Sequence, residues 1–204
     1  MTTAITIISG SHRAKSQSRR VAGYLAERLA KPVAASSVEI IDLAGNPLPL
    51  WEESAWQKDS AHAKTWAPYA AKLRASAGLI IVSPEWAGMV PPGLKNFLLH
   101  MSVEDVAHKP ALIVTVSAAR GGTHPVNELR ISGYKNNKMV YLPEHIIIRD
   151  VEKMLNGATP AAKDDEYIRD RIDYALQLLL AYAQALAPVQ SGFATGDARY
   201  PFGM

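Results

Sequence analysis

Cysteine is absent from the 204-residue chain, which excludes disulfides, thiolate metal sites and a cysteine nucleophile and suits a reducing compartment. Charge of one sign is scarce as well. The excess is +3, from 22 Lys and Arg against 19 Asp and Glu, and no block of five or six like charges occurs along the chain. A nucleic-acid-binding protein concentrates its basic residues on one face or arm. The spread here reads as solvated surface, with no nucleic-acid partner expected. The start, MTTAITIISGS, lacks a basic region and has only a short apolar core, so it does not read as a signal peptide. The longest apolar tract, Ala175 to Pro188, is broken by Gln177 and Gln184 and falls short of the roughly 18–20 residues a membrane crossing needs. No membrane partner is expected, and the prediction is a soluble, cytoplasmic protein.

Catalytic signatures are missing too. There is no G-x-G-x-x-G dinucleotide fingerprint and no G-x-x-x-x-G-K-[ST] loop. A G-x-S-x-G nucleophile elbow is also absent. The six histidines, His12, His62, His100, His108, His124 and His145, form no H-E-x-x-H and no convincing ligand spacing, so no metal is expected.

What is present is an alternation. Short β-branched runs at Ala4–Ile8, Val38–Leu43, Gly78–Ser83 and Ala111–Ser117, with a weaker one inside Met139–Ile148, are separated by helical patterns. Val21, Leu25 and Leu29 make one helical stripe. Further helices are predicted over Ala61–Ser76, with Pro68 shifting the start or kinking it, and over Gly93–Met101, His124–Tyr134 and Asp164–Ala187. Strands alternating with helices imply an α/β protein with a parallel, doubly wound sheet. Ligands of such sheets bind beyond the carboxyl ends of the strands, so the segments after strands one, three and four are where chemistry is expected.

The first segment, Ser9 to Ser18, offers four serine hydroxyls, Arg13 and the N–H groups of a helix start, a set that suits a small phosphate. It is equally compatible with a serine-rich turn in which Ser16 or Ser18 caps the helix. The second, Pro84 to Asn96, is stiffened by three prolines and shaped by two glycines, with Trp86 as an apolar wall for a flat heterocycle or, in the other reading, part of the core. Glu85 either bonds a ligand or points outward. The third, Ser117 to His124, carries paired glycines that permit a close backbone approach.

Taken together, these segments resemble the NADPH-dependent FMN reductase family, a branch of the flavodoxin-like fold. The family's G-S-x-R-x-x-S loop is matched by Gly10 to Ser16, and its P-E-Y-N-G-S-x-P-G-x-L-K-N segment by Pro84 to Asn96. The chain departs from it at Trp86-Ala87, where the family has Tyr-Asn, and in Met89-Val90-Pro91-Pro92. The resemblance covers about residues 4–185. It implies a flavodoxin-like three-layer sandwich with a five-stranded parallel sheet in the order 2-1-3-4-5. The expected layout is one FMN-binding domain over residues 1–187 and a C-terminal tail over 188–204. Ser11, Arg13, Ser16 and Ser18 would hold the FMN phosphate. Pro84, Glu85, Trp86, Ala87 and Gly88 would line the ring, and Ser117, Arg120 and Gly121 would close its far side.

The implied activity is hydride transfer from NADPH or NADH to FMN and on to a flavin, quinone or similar small-molecule electron acceptor. No side chain is needed as acid or base for the first half, so no catalytic residue is assigned. Two other readings stand beside it: a non-catalytic flavodoxin-like electron carrier, and a flavin-free scaffold. The long connection Leu43 to Ala61, with exposed-looking Leu50, Trp51 and Trp56, and a tail holding Phe193, Tyr200 and Phe202, point to packing on the core or on a second subunit. A homodimer or homotetramer is expected.

Overall fold

The computed structural model describes residues 3–31, 35, 37–193, 199–200 and 203. Five strands form one parallel sheet in the order β2-β1-β3-β4-β5, built from β1 (Ala4–Ser9), β2 (Ser37–Asp42), β3 (Gly78–Pro84), β4 (Pro110–Val116) and β5 (Val140–Ile148). The helices are α1 (Gln17–Ala30), α2 (Ala61–Ala75), α3 (Pro92–His100), the short α4 (Val103–Val106), α5 (Thr123–Arg130) and α6 (Lys163–Phe193). This is the flavodoxin-like architecture implied by the sequence.

Alternation within the central strands divides the core in two. Ile5 and Ile7 of β1, Ile80 and Val82 of β3, and Leu112 and Val114 of β4 face α1 and α6, meeting Val21, Leu25, Ile172 and Leu179. Their neighbours Ile8, Leu79, Ile81 and Ile113 pack instead with Leu73 of α2, Leu94 and Phe97 of α3, and Val126 and Leu129 of α5. Strands apolar on both faces are therefore covered on both faces, which is why these runs show no hydrophobic–polar alternation.

Edges and helix ends depart from the sequence expectation for local reasons. β5 pairs only with β4, and its register shifts between Ala111 and Ile113; an edge strand with a bulge is where Pro143 is tolerated. α2 starts at Ala61 because Ser60 caps it, its side chain accepting from the Ala63 N–H at 3.0 Å. The helix then runs through Pro68, so the proline does not displace its start. α5 stops at Arg130, short of Tyr134. α6 continues through Pro188 to Phe193, beyond Ala187.

Among the described residues α6 is the one helix long and apolar enough, by length and composition, to cross a membrane. That corrects the expectation that its apolar tract is too short. Its Ile172, Ala175, Leu176 and Leu179 are buried in the core beside α1, and 28% of its most apolar window is buried. Phe193 and Tyr200 are exposed, and Phe202 lies outside the described residues.

Candidate functional site

The strand order reverses between β1 and β3, and the loops following β1, β3 and β4 meet there, at the sheet's carboxyl edge. Loop one is drawn onto β3 by Gly10, whose N–H donates to the Val82 carbonyl at 2.8 Å. A Cβ on Gly10 would stand 2.6 Å from Leu94 Cδ2 and 2.8 Å from the Val82 oxygen, so only glycine permits this approach. The His12 ring meets Trp86 edge-to-face at 4.5 Å, which ties loop one to loop two. Loop two is tied to loop three by Glu85, whose N–H donates to the Val116 carbonyl at 3.0 Å and whose Oε2 accepts from the Gly122 N–H at 2.6 Å.

Ser16 is the N-cap of α1, accepting from the Arg19 N–H at 3.1 Å, so the capping reading of the serine turn holds for Ser16. The rest of the turn is not consumed by capping. Ser11 Oγ accepts a long bond from the Arg13 N–H at 3.3 Å. Among the described residues, no protein acceptor meets the N–H groups of Ser16, Gln17 or Ser18. The Arg13 side chain is exposed and makes no hydrogen bond or ion pair there. Ser18 is 1% exposed, and its Oγ has no partner among the described residues. A buried hydroxyl without a partner costs about 1–3 kcal/mol, an expense that a bound anion would offset.

Ser11, Arg13, Ser16 and Ser18 share a cavity of about 160 Å³ with Pro84, Glu85 and Trp86. The structure thus brings together seven of the twelve residues singled out in the sequence. The remaining five do not line that cavity. Ala87 and Gly88 form an exposed tip, at φ 50° and 73°, between Trp86 and Met89, which exchange both backbone hydrogen bonds at 3.1 and 2.9 Å. This is the pattern of a type I′ turn, which favours Asn-Gly; the family's Asn suits it better than Ala87 does. Ser117 is buried, its Oγ accepting from the Ala119 N–H at 3.3 Å.

Gly121 is pressed against Glu85, where a Cβ would lie 2.5 Å from Oε1, while Gly122 has φ 105° and its Cβ would meet Ile147 Cγ2 at 2.6 Å. The paired glycines therefore serve packing between loops two and three. Arg120 lines a separate, neighbouring cavity.

Gln17, Val116, Ala118 and Val151 also line the first cavity. Of these, Val151 carried no local signal. It arrives from the connection after β5, held by its own N–H bond to the Ser117 carbonyl at 3.1 Å and by Arg20, which donates to the Val151 and Leu155 carbonyls at 2.6 and 3.1 Å. The end of the second motif is also a fastening. Asn96 donates to the Pro49 carbonyl and accepts from the Trp51 N–H, both at 2.8 Å, pinning the long connection after β2. Lys95 pairs with Glu128 at 2.8 Å, and Glu128 also accepts from the Val90 N–H at 2.7 Å. Burial pushes the Glu128 carboxyl up, but Lys95 and the Val90 N–H outweigh it and hold it below the usual carboxylate range.

Open donors at a helix N-terminus, beside an aromatic wall at the switch point of a doubly wound sheet, are chemistry that suits a phosphate-bearing ring cofactor. The sequence profile of the NADPH-dependent FMN reductase family matches residues 3–152. The chain belongs to that family and is an NAD(P)H-dependent flavin oxidoreductase, with FMN as cofactor and NAD(P)H as co-substrate. It is 28% identical over 129 residues to an NADPH azoreductase of Bacillus sp. (strain OY1-2), covering 63% of this chain and 67% of that protein. With a quinone reductase of Pseudomonas putida it shares 27% identity over 180 residues, 85% of this chain and 89% of the relative. An oxidoreductase structure from Corynebacterium diphtheriae superposes with a TM-score of 0.71 at 15% identity, covering 90% of this chain and 98% of the other.

Proposed function

We propose that the cavity between α1 and Trp86 is the FMN phosphate end of the site, and that the enzyme passes electrons from NAD(P)H to a flavin, quinone or similar small acceptor. The observation that carries this is the convergence of unpaired donors: the Ser16–Ser18 N–H groups, the buried Ser18 Oγ and the Arg13 guanidinium around one cavity. Bound FMN supplies the two-electron chemistry that no side chain offers. The residues do the rest. Ser11, Ser16, Ser18 and Arg13 neutralise and orient the phosphate at the positive end of α1. Pro84, Glu85 and Trp86 wall the cavity on the side of β3, and the rigid Ala87-Gly88 tip presents peptide groups to the ring. Ser117 and Gly121 hold the loop after β4 against Glu85. That loop closes the far side through its backbone.

The azoreductase and quinone reductase names of the relatives favour an electron-poor small molecule as acceptor. We also propose a homodimer or homotetramer in the cytoplasm: Leu50, Trp56 and Leu99 are 81%, 74% and 63% exposed, and the first two lie on the connection pinned by Asn96. Light scattering at micromolar concentration tests the assembly, and a monomer removes it. The activity is tested by loading the protein with FMN, removing the excess and reading the flavin absorption bands, then following NADPH consumption with a quinone. Protein that stays colourless overturns the assignment of this cavity.

A further inference from the structure

Resting on that reading, we infer that the cavity on the other side of the loop after β4 holds the adenosine-diphosphate half of the nicotinamide dinucleotide. This cavity, of about 260 Å³, is lined by Arg120, Arg149, Asp164, Tyr167 and Ile168 among others. Neither guanidinium has a carboxylate partner among the described residues: Arg149 Nε donates to the Arg120 carbonyl at 2.8 Å and its Nη2 lies 3.5 Å from Thr123 Oγ1. Two arginines joined by the Arg149 Nε bond to the Arg120 carbonyl suit a pyrophosphate, which takes several charge-assisted donors at once. Tyr167, 65% exposed and without a side-chain hydrogen bond among the described residues, offers a ring face to adenine. Asp164, in the first turn of α6, is an acceptor for ribose hydroxyls. Asp150, the other acid of the cavity, has a cation near it in Lys153, at 3.8 Å.

Position argues as strongly as composition. Arg149 reaches Thr123, the next residue is His124, and the His124 ring is 3.9 Å from where a Cβ on Gly88 would stand. A continuous rim therefore leads from the arginine cavity to the tip that borders the proposed ring site. A dinucleotide laid along this rim places its nicotinamide at the Ala87-Gly88 tip and its phosphates at Arg120 and Arg149. No dinucleotide fingerprint marks such a site in the sequence, because the two arginines come from different loops and the tyrosine from α6.

The test uses FMN-loaded protein and two variants, Arg149→Ala and Tyr167→Ala. Calorimetric titration with adenosine diphosphate should show binding to the wild type, weakened roughly tenfold by Arg149→Ala and about threefold by Tyr167→Ala, the sizes expected for a lost charged hydrogen bond and a lost stacking face. In turnover, kcat/KM for NADPH should fall by similar factors. Reduced N-benzylnicotinamide, a hydride donor with no adenosine half, should be used as well as before. No heat with adenosine diphosphate in the wild type, or unchanged binding in both variants, overturns the inference. So does an equal loss with both donors in Tyr167→Ala, a side chain that holds no loop in place. FMN uptake is read first by absorbance: a failure there removes the flavin reading, whereas normal uptake with any of these negative results removes the inference alone.

Discussion

The turn after β1 and the loops after β3 and β4 share one edge of the sheet and treat their peptide donors in different ways. In the β1 turn, the N–H groups from Ser16 to Ser18 meet no protein acceptor among the described residues, and Ser18 Oγ is buried without a partner. In the other two loops most of the bracing donors are spent internally, Glu85 on Val116, Trp86 and Met89 on each other, Ala119 on Ser117 Oγ, and Gly122 on Glu85, while the Ala87 and Gly88 N–H groups at the tip meet no protein acceptor among the described residues. One region is left incomplete, so that a ligand finishes its hydrogen bonding. The other is braced beforehand by its own hydrogen bonds and offers a rigid surface, which costs little further ordering when a ring settles on it. Stability and binding should therefore respond to mutation in different places.

The largest effect should come from Gly122→Ala, in the braced region. Left-handed backbone and a Cβ driven into Ile147 together cost about 2–4 kcal/mol, read as a lower urea midpoint with or without FMN. Arg13→Ala, in the incomplete region, should do the reverse: FMN affinity falls about ten- to a hundredfold, as for loss of a charged hydrogen bond, while the denaturation midpoint of the FMN-free protein stays put. Ser18→Ala sharpens the contrast further. Removing a buried hydroxyl without a partner should leave the FMN-free protein as stable or about 1 kcal/mol more so, yet weaken FMN binding by about fivefold in a fluorescence titration. Equal losses of stability and affinity in this variant would erase the distinction between the two regions. Smallest, Ala87→Asn should raise the unfolding free energy from urea titration by about 0.5 kcal/mol, since Asn accepts the left-handed conformation at φ 50° more readily than Ala.

Much of this was legible along the chain. Strands β1, β3 and β4 are apolar runs ended by glycine, proline or serine, and the parallel sheet follows from the alternation of strands with helices. Ser16 is legible as a cap by type and place, and the open donors of the serine–arginine turn as a candidate phosphate grip. Glu85 was legible only as a candidate. Its partner, the Gly122 N–H, lies 37 residues on, and no local pattern marks that pairing. The same holds for Arg120, whose number places it with the ring-closing loop but which lines the neighbouring cavity. α6 outran its expected end because Pro188 removes one N–H without stopping a helix already seated on the sheet.

Residue order by itself determined the layered α/β architecture, the polarity of each helix start and the chemistry available at the carboxyl edge. These follow from interactions within a few residues: side-chain alternation, capping, the conformational freedom of glycine. Tertiary structure alone decided which donors stay open and which are used, because that depends on acceptors brought in from distant strands. It also decided that Val151 walls one cavity while its neighbour Asp150 lines the other. Short-range physics is written residue by residue, whereas the satisfaction of a hydrogen-bonding group is settled only when the chain has closed around it.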